Sequence, residues 1–193
     1  VAVTSPILGV IADRVPVKKN FLWLYTIIGS VFTVLSFFSA YTGAAWAWIF
    51  GTFVIANIGF AGGLVFYNSF LPHLVPKHLL DNVSSRGYAY GYIGGGLLLA
   101  FHLGIIVFVG DSVYSDLVTR LALASVGLWW FGWAIWTFRT VPEPLIANPI
   151  TGLNVIEAVS FALSQLIQTI KEIRRFKVVA IYLAAFLLFN DGV

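Results

Sequence analysis

Asp191 carries the most demanding chemistry in this chain, because it follows thirteen residues, 178–190, that hold no charge. A helix starting near Lys177 would carry Asp191 roughly 20 Å along its axis, near or past the middle of a bilayer. A carboxylate there costs roughly 2.5–3.5 kcal/mol on insertion scales, so a water-filled cavity, a base or a proton must offset it. Asn190-Asp191-Gly192 is therefore a candidate for proton coupling or for binding a substrate amine; a later helix start would put Asp191 at the outer surface. His102 sits alone in another apolar run, where an ionisable ring can bind substrate or relay a proton, or can serve as a hydrogen-bonded core residue. Asn57 and Asn68 are eleven residues apart and share nearly one helical face. Amides in hydrocarbon need partners, so that face should point into a helix bundle and line a polar cavity. The competing reading makes Asn57 interhelical glue and leaves Asn68, with Tyr67, at the interface.

The second constellation is the turn Gly9-Val-Ile-Ala-Asp13-Arg14-Val-Pro-Val-Lys18-Lys19, a charged break between two uncharged apolar runs. Gly9 suits a close approach of two helices, Asp13 can meet an opposing base or helix N-terminus, and Arg14, Lys18 and Lys19 anchor the turn. The cluster reads as a state-dependent gate or as a solvated topogenic charge group. Gly59 and Gly63, and the series Gly87, Gly91 and Gly95, form small-residue stripes that suit tight helix packing. Gly94-Gly95-Gly96 lies inside an apolar span and lacks the Lys-Ser/Thr ending of a phosphate loop. His73, His78 and Asp81 match no regular metal-ligand spacing. No activated serine, catalytic carboxylate pair or cofactor motif is visible, so neither catalytic residues, metal nor cofactor is expected.

The elements that must position these residues follow from composition. The chain of 193 residues is 60% hydrophobic and 10% charged, with a mean hydropathy of +0.93. Soluble domains carry about 25% charged residues, so this is an integral membrane protein. With no Cys, disulfides and thiolate metal sites are excluded. The net charge of +3 lies in loops, away from the aromatics, which argues against nucleic-acid binding. Full spans are expected at 21–41, 46–71, 88–109 and 118–138, with a polar loop over 72–87 and a further span beginning at 178. Ten of the eleven Lys and Arg fall in alternate loops and Arg120 is the exception, a split that assigns the basic side to the cytoplasm. Trp46, Trp48, Trp129, Trp130, Trp133 and Trp136 read as interfacial or lipid-facing anchors. Over 152–176 apolar residues recur at helical spacing opposite a polar side, with Asn154 and Glu157 as a weak capping box, which suits an amphipathic helix on the cytoplasmic face.

The Gly9–Lys19 turn resembles the loop between the second and third helices of major facilitator superfamily transporters; Pro16 stands where that pattern has glycine, and Val17 where it has a base. Phe66-Tyr67-Asn68-Ser-Phe-Leu-Pro72, Val83-Ser-Ser-Arg-Gly-Tyr-Ala-Tyr-Gly-Tyr-Ile-Gly-Gly95 and Asn190-Asp-Gly192 narrow this to a resemblance to the superfamily's vacuole-effluxer-like branch, over essentially the whole chain. That branch includes fungal vacuolar amino-acid exporters and bacterial permeases. The resemblance implies an all-α membrane protein, here a fragment holding helices two to seven of a twelve-helix fold. Residues 1–138 would run from the end of helix two through helix six, 139–177 would be a cytoplasmic connector, and 178–193 would begin helix seven. It implies secondary active transport of a small solute by alternating access, with proton-coupled amino-acid export as the specific form. The expected partners are the solute, the lipid bilayer and the remaining half of the fold, in a plasma membrane if bacterial or a vacuolar one if fungal. A membrane-embedded enzyme using His102 or His73, or a transport-inactive structural or signalling relative, are the alternatives.

Overall fold

Uncharged runs of twenty or more residues cannot leave their backbone groups unpaired in hydrocarbon, so they close every hydrogen bond within a helix. The computed structural model describes residues 18–144 continuously, with isolated positions 9, 157, 160, 161, 163, 164, 167, 168, 181 and 185. The described residues form four long helices: α1 (Lys18–Leu35), α2 (Ala45–Leu74), α3 (Leu80–Val109) and α4 (Ser115–Thr140). A 3-10 segment, Ser36–Tyr41, prolongs α1, and a single turn, Lys77–Leu79, precedes α3. Counting these extensions, the four candidate spans are 24 to 33 residues long, enough for a multi-pass membrane protein. No strand occurs among the described residues.

The expected polar loop over 72–87 shrinks to a few residues. Pro72 lies in the last turn of α2, where a missing N–H frees only the Asn68 carbonyl, and the helix runs on to Leu74. Asp81 then falls in the first turn of α3, where the positive helix end favours a carboxylate. Ser84, Ser85 and Arg86 are therefore helical, and α3 is a full turn or more longer than its apolar stretch. At its other end α3 stops at Gly110, whose φ of +54° lies in the region open to glycine.

Helix α1 is the centre of the assembly, with α2 on one side and α4 on the other. Small residues set both contacts. A Cβ on Gly59 would stand 2.5 Å from the Gly29 nitrogen, and one on Gly127 would stand 2.7 Å from the Ser30 carbonyl oxygen. A Cβ on Gly62 would enter the Tyr25 ring. The Trp130 ring lies over Gly29, so Trp130 is not a lipid-facing anchor but a wedge between α4 and α1. Trp129, Trp133 and Trp136 do lie on the exposed face. Leu22, Phe66 and Phe70 are buried near the start of α1 and the end of α2, with Phe21, Tyr25, Phe138 and Val141 around them. Phe21 stacks on Phe66 at 5.1 Å. Helix α3 has no buried residue among those described and meets α4 more than α2.

Candidate functional site

Lys18, Lys19, Lys77, Arg86 and Arg139 gather at the end where α1 and α3 begin and α2 and α4 finish. Among the described bases Arg120 alone lies at the opposite end, and it is held there. It bonds Asp116 one turn earlier at 2.9 Å, donates to the Phe37 carbonyl at 3.3 Å, and sits 5.2 Å from the Phe37 ring centroid. The guanidinium so pins the start of α4 to the 3-10 extension of α1.

At the basic end a polar clasp joins three elements. The Glu143 carboxylate accepts the backbone N–H of Lys18 through one oxygen and that of Lys19 through the other, each at 2.8 Å. These are first-turn amides of α1, which have no partner within their own helix, and a carboxylate there also opposes the positive helix end. Lys18 is fully buried; its ammonium donates to the Ser69 carbonyl at 3.3 Å and lies 3.1 Å from His73 Nε2. An ammonium offers only protons, so Nε2 is the acceptor. Lys19 Nζ donates to the Val141 carbonyl at 2.7 Å. The start of α1, the end of α2 and the strap 141–144 after α4 thus meet within hydrogen-bond distance. Sequence reading singled out Lys18 and Lys19 but not Glu143, Ser69 or His73 as their partners. The one available signal was Glu143 itself, bracketed by Pro142 and Pro144 and the only acid between Asp116 and Glu157.

A cavity of about 730 Å³ opens at the same end. Tyr67 and Asn68 of α2 face Ser84, Gly87, Tyr88, Gly91 and Tyr92 of α3 across it, and Leu22 of α1 and Phe138 of α4 contribute to its lining. Asn68 therefore lies on a cavity wall, whereas Asn57, although exposed, does not. Gly87, Gly91 and Gly95 have nothing within 4 Å of a built Cβ, so no described residue packs on the stripe expected to bring helices together. The physical reason is that α3 meets α4 further along, near His102, while at the level of Gly87 and Gly91 the space is the cavity. Gly63 makes ordinary contacts, 3.6 Å to Tyr25, while Gly59 is the tight point.

His102 Nε2 lies 2.7 Å from Ser125 Oγ of α4, and that hydroxyl lies 2.8 Å from the Ala122 carbonyl. The single hydroxyl proton serves either the Ala122 carbonyl, with Nε2–H donating to Oγ, or Nε2 itself. Here His102 links two helices and takes no part in the cavity. Gly9 is helical, with nothing within 4 Å of a built Cβ. Asp13, Arg14, Asn190 and Asp191 lie outside the described residues. No group of three or more His, Cys, Asp or Glu that could hold a metal occurs among the described residues.

Against this geometry, the family model described as "Vacuole effluxer Atg22 like" matches residues 1–193, the whole chain. The chain belongs to the vacuole effluxer Atg22-like family. Among its relatives, an "Uncharacterized MFS-type transporter YxiO" of Bacillus subtilis is 27% identical over 197 residues, covering 100% of this chain and 44% of that protein. "Autophagy-related protein 22-1" of Penicillium rubens is 33% identical over 126 residues, covering 60% of this chain and 20% of its own. The protein of the same name from Aspergillus fumigatus is 31% identical over 118 residues, covering 58% and 19%. This Atg22-like chain therefore spans less than half the length of the curated relatives it matches. No solved structure matches it significantly. The family is described as a vacuole effluxer and the Bacillus relative as a transporter of the major facilitator type, neither as an enzyme, in line with the branch read from residues 66–72, 83–95 and 190–192.

Proposed function

We propose that the full-length protein moves a small solute across its membrane by alternating access, with amino-acid export driven by a proton gradient as the specific form. The supporting observation is the cavity between α2 and α3. Its volume of about 730 Å³ falls in the range of roughly 300–1,000 Å³ typical of small-molecule sites. Its walls combine aromatic surface with the Asn68 amide and the Tyr67, Tyr88 and Tyr92 rings, which can orient a polar solute. The sparse contact between α2 and α3 leaves room for the two helices to move relative to one another. Asn68 is assigned a solute contact, and Asn57 and Asn190 secondary ones on the same pathway. Asp191 is assigned proton coupling, and His102 supports the pathway through its bond to Ser125.

The turn carrying Gly9, Asp13, Arg14, Lys18 and Lys19 acts in this proposal as the cytoplasmic gate. The Glu143–Lys18–His73 clasp holds one conformation and releases it when the helix ends part. The membrane would be the plasma membrane in a bacterium and the vacuolar membrane in a fungus, and the other half of the fold would complete the pathway.

The test is flux in vesicles carrying the full-length protein, with and without a pH gradient, for wild type, Asn68→Ala and Asp191→Asn. Gradient-driven amino-acid flux that falls at least about tenfold in Asp191→Asn, with protein level held, supports the reading; a loss of that size corresponds to about 1.4 kcal/mol of barrier. Flux equal in wild type and Asp191→Asn removes proton coupling from Asp191. Absence of flux for every amino acid tested overturns amino-acid export.

A further inference from the structure

A second groove, of about 450 Å³, lies between α1 and α4 at the basic end. Lys19, Asn20 and Arg139 form its rim, and Trp23, Phe131 and Ile135 form its apolar wall. The wall is a packed aromatic surface, in which Trp23 stacks on Phe131 at 5.6 Å and packs against Phe138 at 4.4 Å. From Arg139 to Phe131 is eight residues, or about 12 Å along a helix axis, so the groove runs from the polar boundary into the hydrocarbon. The nearby Glu143 carboxylate accepts the Lys18 and Lys19 amides and, among the described residues, forms no ion pair with Lys19 or Arg139. Lys19 spends one ammonium proton on the Val141 carbonyl and has two more to offer. Arg139 is exposed, and among the described residues no carboxylate or carbonyl engages its guanidinium.

We propose that this groove binds one anionic phospholipid of the leaflet at the basic end, with its phosphate between Lys19 and Arg139 and an acyl chain along Trp23, Phe131 and Ile135. Two cations at the membrane boundary above an aromatic slot suit a ligand that is charged at one end and apolar for the rest of its length. A soluble anion would leave the slot unfilled, and a zwitterionic lipid would place its own cation beside Arg139. The groove shares Lys19 and Phe138 with the cavity between α2 and α3, while Asn20, Trp23, Phe131, Ile135 and Arg139 line the groove and not the cavity.

The experiment uses full-length protein, delipidated in neutral detergent and offered phosphatidylglycerol or phosphatidylcholine of identical acyl chains, with retained adducts counted by native mass spectrometry. Phosphatidylglycerol is expected to be retained over phosphatidylcholine. Lys19→Gln with Arg139→Gln is expected to lower its retention at least about tenfold, the order supplied by two near-surface cations. Lys77→Gln with Arg86→Gln, which removes equal charge from the same end, is expected to leave retention unchanged. Arg139→Gln alone breaks no hydrogen bond among the described residues and keeps the test valid if the Lys19 change disturbs folding. Equal retention of the two lipids, wild-type retention by the Lys19/Arg139 variant, equal loss in the control, or displacement of the lipid by inorganic phosphate would each overturn the proposal.

Discussion

One methyl group added at Gly59 would stand 2.5 Å from the Gly29 nitrogen and 2.7 Å from its Cα, against the backbone of α1 with no flexible side chain to yield. Gly59→Ala must therefore push α1 and α2 apart. The expected loss is about 1–3 kcal/mol, read as a lower Tm of the detergent-solubilised protein. Gly91→Ala is the opposite case: nothing lies within 4 Å, so the same assay should show no loss and up to about 1 kcal/mol of gain from helix propensity. Sequence spacing cannot separate the two, because both sit in Gly-x-x-x-Gly patterns; only the presence of a facing helix does. Isolated glycines show the same limit. Gly29 and Gly127 are among the tightest contacts of the described residues, yet neither belongs to a Gly-x-x-x-Gly pattern that would draw attention to it. His102 is a third instance. Its rarity in an apolar span was legible, but its partner Ser125 was not, since a serine one turn from its own helix carbonyl looks self-satisfied. If the bond to Ser125 is what His102 contributes, His102→Gln and Ser125→Ala should each reduce flux, and the double variant should lose no more than the worse single one.

At the scale of elements, hydropathy located the spans to within a few residues wherever an apolar run ended in a charge or a glycine. It failed over 72–87, where polar residues and two prolines suggest a loop although the backbone is helical for most of the segment. Hydropathy reports where the bilayer ends, and helices continue past that point when their ends are favourable, as Asp81 makes the start of α3. The start of α1 owes its stability to a residue 125 positions away, which no local pattern can reveal. Glu143→Gln keeps the shape but leaves one acceptor oxygen for two amides. Hydrogen exchange of the Lys18 and Lys19 amides should then speed up about tenfold or more, the order expected when a charge-assisted bond is lost, while amides in the middle of α2 keep their protection.

For the whole molecule, charge placement decides orientation. Five of the six described bases lie at one end, and the sixth, Arg120, is tied to Asp116. The chain contains no cysteine, so single substitutions report topology cleanly within it. In intact cells, with any cysteine elsewhere in the full-length protein replaced, Asp111→Cys should react with an impermeant maleimide and Lys77→Cys should react only after permeabilisation. The reverse pattern would refute the assignment of the basic end to the cytoplasm. The family and the helical class were legible because composition and the 66–95 segment are global or contiguous signals. The cavity and the clasp were not, because each is assembled from residues that only folding brings together.

The Glu143 contact also makes the four-helix segment a closed circuit: the point where the chain enters α1 and the strap by which it leaves α4 are the same place. A pull on the chain beyond Pro144 reaches the first turn of α1 directly, without first unwinding α4. A displacement of that strap is thereby felt at the head of the segment as well as at its tail.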